Sequence, residues 1–241
     1  MKFTILSLFP EFLDAYFRSS IMARAVDRGL IDYRLVNIRD FATDRHRTCD
    51  DAPYGGGYGM VLKAEPLAAA LDSVDASAKR VVYASPAGRL FDQAAAAELA
   101  EASELVMICG RYEGIDQRII DLYVHDQLSI GDYVVSSGEI ATLVLVDAVY
   151  RLVDGVITAG SLEEESHADL LLEYPHYTRP EEFRGLRVPE VLLSGHHQRI
   201  AAWRRAEQER LTASVRPDLY RKMTGERARE PGGNDGPDQG D

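Results

Sequence analysis

The chain has 241 residues, of which 46% are hydrophobic and 27% charged, and a formal net charge of −12. That length and apolar content suit one large core or a domain with a smaller appendage, and they exclude wholesale disorder. Cys49 and Cys109 are the two cysteines; they lie far apart, with no CxxC, which excludes a disulfide scaffold. Six histidines at scattered positions give no zinc-ligand spacing, so no metal site is expected.

Lys2–Phe9 reads as a buried strand that enters a helix near Pro10. Pro10 and Glu11 end the opening apolar stretch and no A-x-A site follows, so a first strand is expected rather than a signal peptide. With no apolar run of membrane-span length, the expectation is a cytoplasmic protein without a membrane partner. Ser20–Asp27 is helical, stopped by Gly29, and Ile31–Ile38 alternates as a strand. A polar stretch follows, ending in the glycine-rich DDAPYGGGYGM. Pro66–Leu71 reads as helix, Arg80–Ala84 as strand, Asp92–Glu101 as helix and Glu104–Cys109 as a second buried strand. Ile115–Asp121 reads as helix, then a short strand runs to Ile130, and GDYVVSSGE opens the apolar helix Ile140–Leu152. Strands alternating with helices predict an α/β domain with a mostly parallel sheet and helices on both faces.

The pattern breaks at ITAGSLEEESHADLLLE, where small and acidic residues cluster as in an exposed linker. Helical periodicity returns at HHQRIAAWRRAEQERL and RPDLYRKM, a small C-terminal helical domain. The boundaries expected are a ligand-binding domain 1–157, a linker 158–173, a helical domain 174–229 and a Gly/Pro/Asp-rich disordered tail 230–241. Charge follows the same division. Residues 1–176 carry 15 Lys/Arg against 28 Asp/Glu, whereas residues 177–230 carry 12 against 8. The excess of basic groups can focus a phosphate-bearing ligand, or it is an ordinary solvated helix face.

Four segments have the makings of a site. The glycine cluster permits close backbone approach to a ligand but lacks the GK[ST] of a phosphate loop, which counts against a nucleotide-hydrolysing enzyme. His46 and Asp50, with the neighbouring arginines, flank it as groups that suit a phosphate or a base edge, or simply a solvated loop. ICGRYEGIDQR runs from a buried strand through a glycine turn into a helix, and LSIGDYVVSSGEIATL repeats that logic. Ligands in α/β sheets bind at the carboxyl ends of strands, so two such turns can share one pocket. Asp147 and Arg151 stand four apart on a helix, the spacing of an intrahelical ion pair. Glu163, Glu164 and Glu165 form an acidic run that, taken alone, is a solvated surface.

The ordered set LFPEF, DDAPYGGGYGM, GRYEGIDQR, SIGDYVVSSGE, YPHYTRP and VLLSGHHQRIAAWR resembles the bacterial tRNA (guanine-N(1))-methyltransferase family, TrmD, over roughly residues 1–222. The resemblance implies a SPOUT-class α/β domain whose mostly parallel sheet is tied in a trefoil knot. It further implies a homodimer with the active site at the subunit interface, S-adenosylmethionine as cofactor, and tRNA as partner, methylated on the guanosine immediately 3′ of the anticodon. By motif position, the cofactor loops fall on Tyr83, Ser85 and Pro86; on Gly110, Tyr112, Glu113 and Gly114; and on Ser129, Ile130, Gly131, Asp132, Tyr133, Val134, Val135, Ser137 and Gly138. The family's catalytic arginine falls on Arg151. His46, Asp50 and Tyr58 are the expected substrate contacts.

Three departures stand out. The family's catalytic aspartate motif reads Glu164–Glu165–Ser166 here, so the base is Glu165, with Asp169 as the alternative. Tyr58 replaces a usual proline. Ser137–Gly138 replaces a usual glycine pair, and Ala141 a nearby proline. The absent aspartate leaves a second expectation open, a SPOUT protein that binds tRNA with impaired catalysis.

Overall fold

The computed structural model describes residues 1–157, 166 and 170–225. The chain divides into two compact units, Met1–Ala159 and Gly160–Asp241. In the first, five parallel strands form one sheet: β1 (Lys2–Ser7), β2 (Asp32–Asn37), β5 (Arg80–Leu90), β6 (Glu104–Cys109) and β7 (Asp126–Ser129), in the order β2-β1-β6-β5-β7. The inner strands β1 and β6 are buried along almost their whole length, which explains why they read as unbroken apolar runs. β2, at the edge, alternates between exposed and partly buried residues until Val36.

Helices cover both faces. On one side α1 (Pro10–Phe17), α2 (Ser20–Asp27), α4 (Gln93–Ala100) and α6 (Gly138–Tyr150) bury Leu13, Phe17, Leu99, Leu145 and Val149 with Phe3, Ile5 and Met107 of the sheet. On the other, α3 (Ala64–Asp72) and α5 (Gln117–Tyr123) bury Leu67, Leu71 and Ile119 with Leu6, Val81, Val106 and Ile108. Alternate residues of each strand serve alternate faces, as the pleat requires.

In the first unit, several boundaries shift by one or two residues and three features stand out against the sequence reading. β5 runs on to Leu90 instead of stopping at Ala84. Its pairing with β7 breaks after Ala84 and resumes at Arg89, and the residues between bulge outward. Pro86 sits in that bulge, where the missing N–H breaks no ladder. α5 starts at Gln117, two residues late, because Ile115 forms a parallel bridge to Leu62 and the Asp116 carboxylate accepts the Arg118 N–H at 2.9 Å. Finally, the polar stretch contains a two-residue ladder, β3 (Asp50–Asp51) with β4 (Val61–Leu62), too short to register as a pattern.

The second unit holds an antiparallel hairpin, Glu182–Phe183 with Leu186–Arg187, turned by Arg184 and Gly185, both at positive φ. Helices follow at Glu190–Leu193, His197–Val215 and Pro217–Thr224. The fully buried Thr212 accepts the Leu172 N–H at 2.8 Å, and the Arg204 guanidinium lies over the Tyr174 ring at 4.7 Å. Several arginines of this unit face carboxylates within it: Arg187 with Glu181, Arg205 with Glu209, Arg210 with Glu207, and Arg216 with Asp218. Among the described residues, no helix is long and apolar enough to cross a membrane.

Candidate active site

Three loops leave the carboxyl ends of adjacent parallel strands and wall one cavity of about 280 Å³. The β5 bulge contributes Ser85 and Pro86; the turn after β6 contributes Gly110 to Gly114; the segment after β7 contributes Ser129, Ile130 and Tyr133 to Gly138. Leu128 and Ala141 add apolar wall, and Tyr83 reaches in from β5. The site sits where an α/β sheet places ligands, and it mixes apolar surface with a few polar groups, as small-molecule pockets do.

Glycines set its closest approaches. A Cβ at Gly138 would stand 2.3 Å from the Gly110 carbonyl oxygen and 2.5 Å from its nitrogen. Those backbones also bond directly, the Gly138 N–H donating to the Gly110 oxygen at 3.1 Å. The start of α6 is thereby pinned to the turn after β6. At Gly110, a Cβ would lie 2.9 Å from the Tyr83 ring, so Tyr83 packs closely against that turn. Burial pushes the Tyr83 phenol above its ordinary pKa.

Beneath the cavity lies a carboxylate that the sequence reading did not single out. Glu139, fully buried, accepts from Ser7 Oγ at 2.6 Å and from Ser137 Oγ at 2.7 Å. The Arg111 Nε stands 2.9 Å from its second oxygen. That nitrogen makes no hydrogen bond of acceptable angle, so the contact is an ion pair. The Arg111 guanidinium also lies over the Phe9 ring at 4.4 Å and reaches the Ser136 carbonyl at 3.4 Å. The sequence signal was present in GRYEG and SSGE, but nothing local connects residues 7, 111 and 139.

Of the sixteen expected cofactor residues, all line the cavity except Gly131 and Asp132. Gly131 instead turns the β7 loop at φ +146, its carbonyl accepting from Ser129 Oγ at 3.0 Å, so it shapes the loop from behind. Ala84, Arg111 and Ser136, inside the expected loops Tyr83–Pro86, Gly110–Gly114 and Ser129–Gly138, also line the cavity, and Leu128 and Ala141 join it from outside them.

The substrate residues separate. Tyr58 is fully exposed on the glycine loop, which adjoins the cavity rim: the Glu113 N–H donates to the Met60 carbonyl at 3.0 Å, and Gly59 packs on the Glu113 side chain. Asp50 is tied into the β3–β4 ladder opposite Leu62. His46 lies in an Asp44-centred turn, its N–H bonded to that carboxylate at 3.0 Å, and is absent from the cavity wall. Glu165 and Asp169 lie outside the described residues, as do most of the expected linker and the tail.

Arg151 directly follows α6, whose first residue is at the cavity. Thirteen residues at about 1.5 Å each put it ~20 Å along the helix axis from Gly138, and it does not line the cavity of its own chain. Asp147, expected as its partner, accepts a short hydrogen bond from the Tyr16 hydroxyl of α1. Ile140 and Val144 are 43% and 44% exposed, and with Arg151 they share one face of α6.

Fold and cavity thus define an α/β protein with a pocket at the carboxyl ends of parallel strands. The family described as tRNA (guanine-1)-methyltransferase TrmD matches residues 1–222. The tRNA (guanine-N(1)-)-methyltransferase of Treponema denticola is 60% identical over 222 residues, covering 92% of this chain and 91% of its own. That of Treponema pallidum is 60% identical over 219 residues (91% and 88%), and that of Borreliella burgdorferi 57% over 224 residues (92% and 94%). The chain belongs to the tRNA (guanine-1)-methyltransferase family.

Proposed function

We propose that this protein transfers a methyl group from S-adenosylmethionine to N(1) of the guanosine immediately 3′ of the anticodon in tRNA. The observation that carries the reading is that the three motif segments of the family resemblance converge on one strand-end cavity. The cavity fits the cofactor: Leu128, Ile130, Val135 and Ala141 offer apolar wall to an adenosyl group, Ser85 offers a hydroxyl, and Glu113 an anion for a cationic ligand. When bound, the cofactor supplies a methyl group made electrophilic by its sulfonium.

The residues of the chain do the rest. N(1) of neutral guanine carries a proton, so its lone pair is unavailable. Glu165 removes that proton as general base. Negative charge then gathers on O(6), and the Arg151 guanidinium stabilises it as an oxyanion donor does. The target base leaves its stack to reach the cavity, and the glycine loop beside Glu113 closes over it. The Arg-rich second unit, with 12 Lys/Arg against 8 Asp/Glu over residues 177–230, holds the tRNA backbone.

The active form is a homodimer. Arg151 is too far along α6 to serve its own cavity, and the exposed Ile140–Val144 stripe on its face needs cover. Two copies packed antiparallel on that stripe bring the Arg151 of each to the α6 start of the other. The SPOUT trefoil knot comes with the family; the backbone bond from Gly138 to Gly110, where a Cβ would not fit, is compatible with a chain threaded beside the β6 turn.

Incubation with methyl-labelled S-adenosylmethionine and two tRNA transcripts, with and without guanosine 3′ of the anticodon, tests the reading. Label should enter only the first. Label in neither, with tRNA still bound, would make this a tRNA-binding protein without catalysis.

A further inference from the structure

Glu139 is buried against a cation that belongs to the cavity wall. Arg111 is three-quarters buried and lines the cavity; its guanidinium is paired to Glu139 from below. Glu139 in turn is held from β1 by Ser7 and from the third loop by Ser137. One carboxylate thereby joins the turn after β6 to the segment after β7, the two walls between which a ligand would lie. It also cancels the Arg111 charge. Glu113 is then the remaining anionic side chain among the residues that line the cavity.

We infer that Glu139 is a positioning residue that sets the charge of the cofactor cavity, so that the cavity favours a sulfonium ligand over the neutral thioether left after methyl transfer. The inference rests on the methyltransferase reading above and deepens it. With the Arg111–Glu139 pair intact, the wall presents a net negative charge to a ligand that is cationic before reaction and not after it. Coulomb attraction in a partly buried site discriminates between the two, which differ by one charge and one methyl. Release of the thioether is eased by the same term. Removing the Glu139 charge alone leaves Arg111 as an uncompensated cation against the sulfonium, and it also loosens the two loops. Only the first effect distinguishes the ligands.

The test is titration of the full-length protein, without tRNA, by S-adenosylmethionine and separately by S-adenosylhomocysteine. Glu139→Gln keeps the shape and acceptors for one serine. It should weaken S-adenosylmethionine about tenfold and S-adenosylhomocysteine by less than about threefold. Glu139→Gln combined with Arg111→Gln removes both charges and should return the ratio of the two affinities to its wild-type value, even where both are weakened. Equal weakening of the two ligands in Glu139→Gln, or no weakening, overturns the inference. Should Glu139→Gln fail to fold, Arg111→Gln provides the opposite sign: the ratio must then move further toward the sulfonium, and an unchanged ratio overturns the inference. Wild-type protein that binds neither ligand contradicts the methyltransferase reading instead.

Discussion

At residue 138 any side chain has to occupy space already filled by backbone. A Cβ there would lie 2.3 Å from the Gly110 carbonyl oxygen, and neither backbone can yield without opening the cavity. Gly138→Ala is therefore expected to cost at least about 3 kcal/mol of stability and to abolish binding of S-adenosylmethionine, measured by thermal unfolding and by titration. The catalytic assignments belong to the same scale. Glu165→Gln should leave cofactor and tRNA bound while slowing single-turnover methyl transfer by roughly 10²–10⁴, the range for a general base. Asp169→Asn should give a smaller loss. If Asp169→Asn abolishes turnover and Glu165→Gln does not, the roles are exchanged.

Among the elements, β5 and β7 are held at the sheet edge by a charge network as well as by their ladder. Arg80 Nε meets Asp126 at 2.6 Å, Arg89 reaches the same carboxylate at 3.3 Å, and both arginines reach Glu98. Burial alone would raise the Asp126 pKa, but Arg80 and Arg89 outweigh it and hold the carboxyl below its ordinary 3.8. A depressed pKa in the folded state contributes stability that is complete above the unfolded value and lost as pH falls through the folded one. Stability should thus decline below about pH 4, and Asp126→Asn should flatten that decline and lower stability at neutral pH. An unchanged acid limb in chemical unfolding of the variant would show that the network contributes nothing.

Those same elements show what was legible in the sequence. Ser20–Asp27 and Glu104–Cys109 occupy the predicted residues because amphipathic periodicity and an unbroken buried run are local signals. The β5 bulge was not legible: Pro86 ends a strand pattern equally well whether the strand stops or merely skips. Nor was the 182–187 hairpin, whose strands are two residues each. At the site, turn glycines at strand ends mark the cavity wall, since they serve a local geometric need. The Ser7–Glu139–Arg111 contact joins residues 132 and 28 positions apart along the chain, and only the fold brings them together.

For the whole molecule, α6 imposes the main constraint. Its first residue lies at the cavity and Arg151 follows its last, so in the proposed homodimer the Arg151 of each copy serves the cavity of the other. Mixing a cavity variant, Gly138→Ala, with Arg151→Ala should restore activity neither possesses alone. Each mixed dimer has one intact composite site, so random exchange should recover about a quarter of wild-type activity. Should Gly138→Ala not assemble, Glu113→Ala serves as the cavity partner. Two dead variants that stay dead after verified exchange would place Arg151 in its own chain's site.

The most direct measurement is where the methyl group lands. A methyl on N(1) of guanine blocks the Watson–Crick edge and halts primer extension. Unmodified tRNA incubated with the protein and S-adenosylmethionine should give a single new stop, at the guanosine immediately 3′ of the anticodon, absent when cofactor is withheld. A stop at another nucleotide, or a methylated product without any stop, would contradict the account.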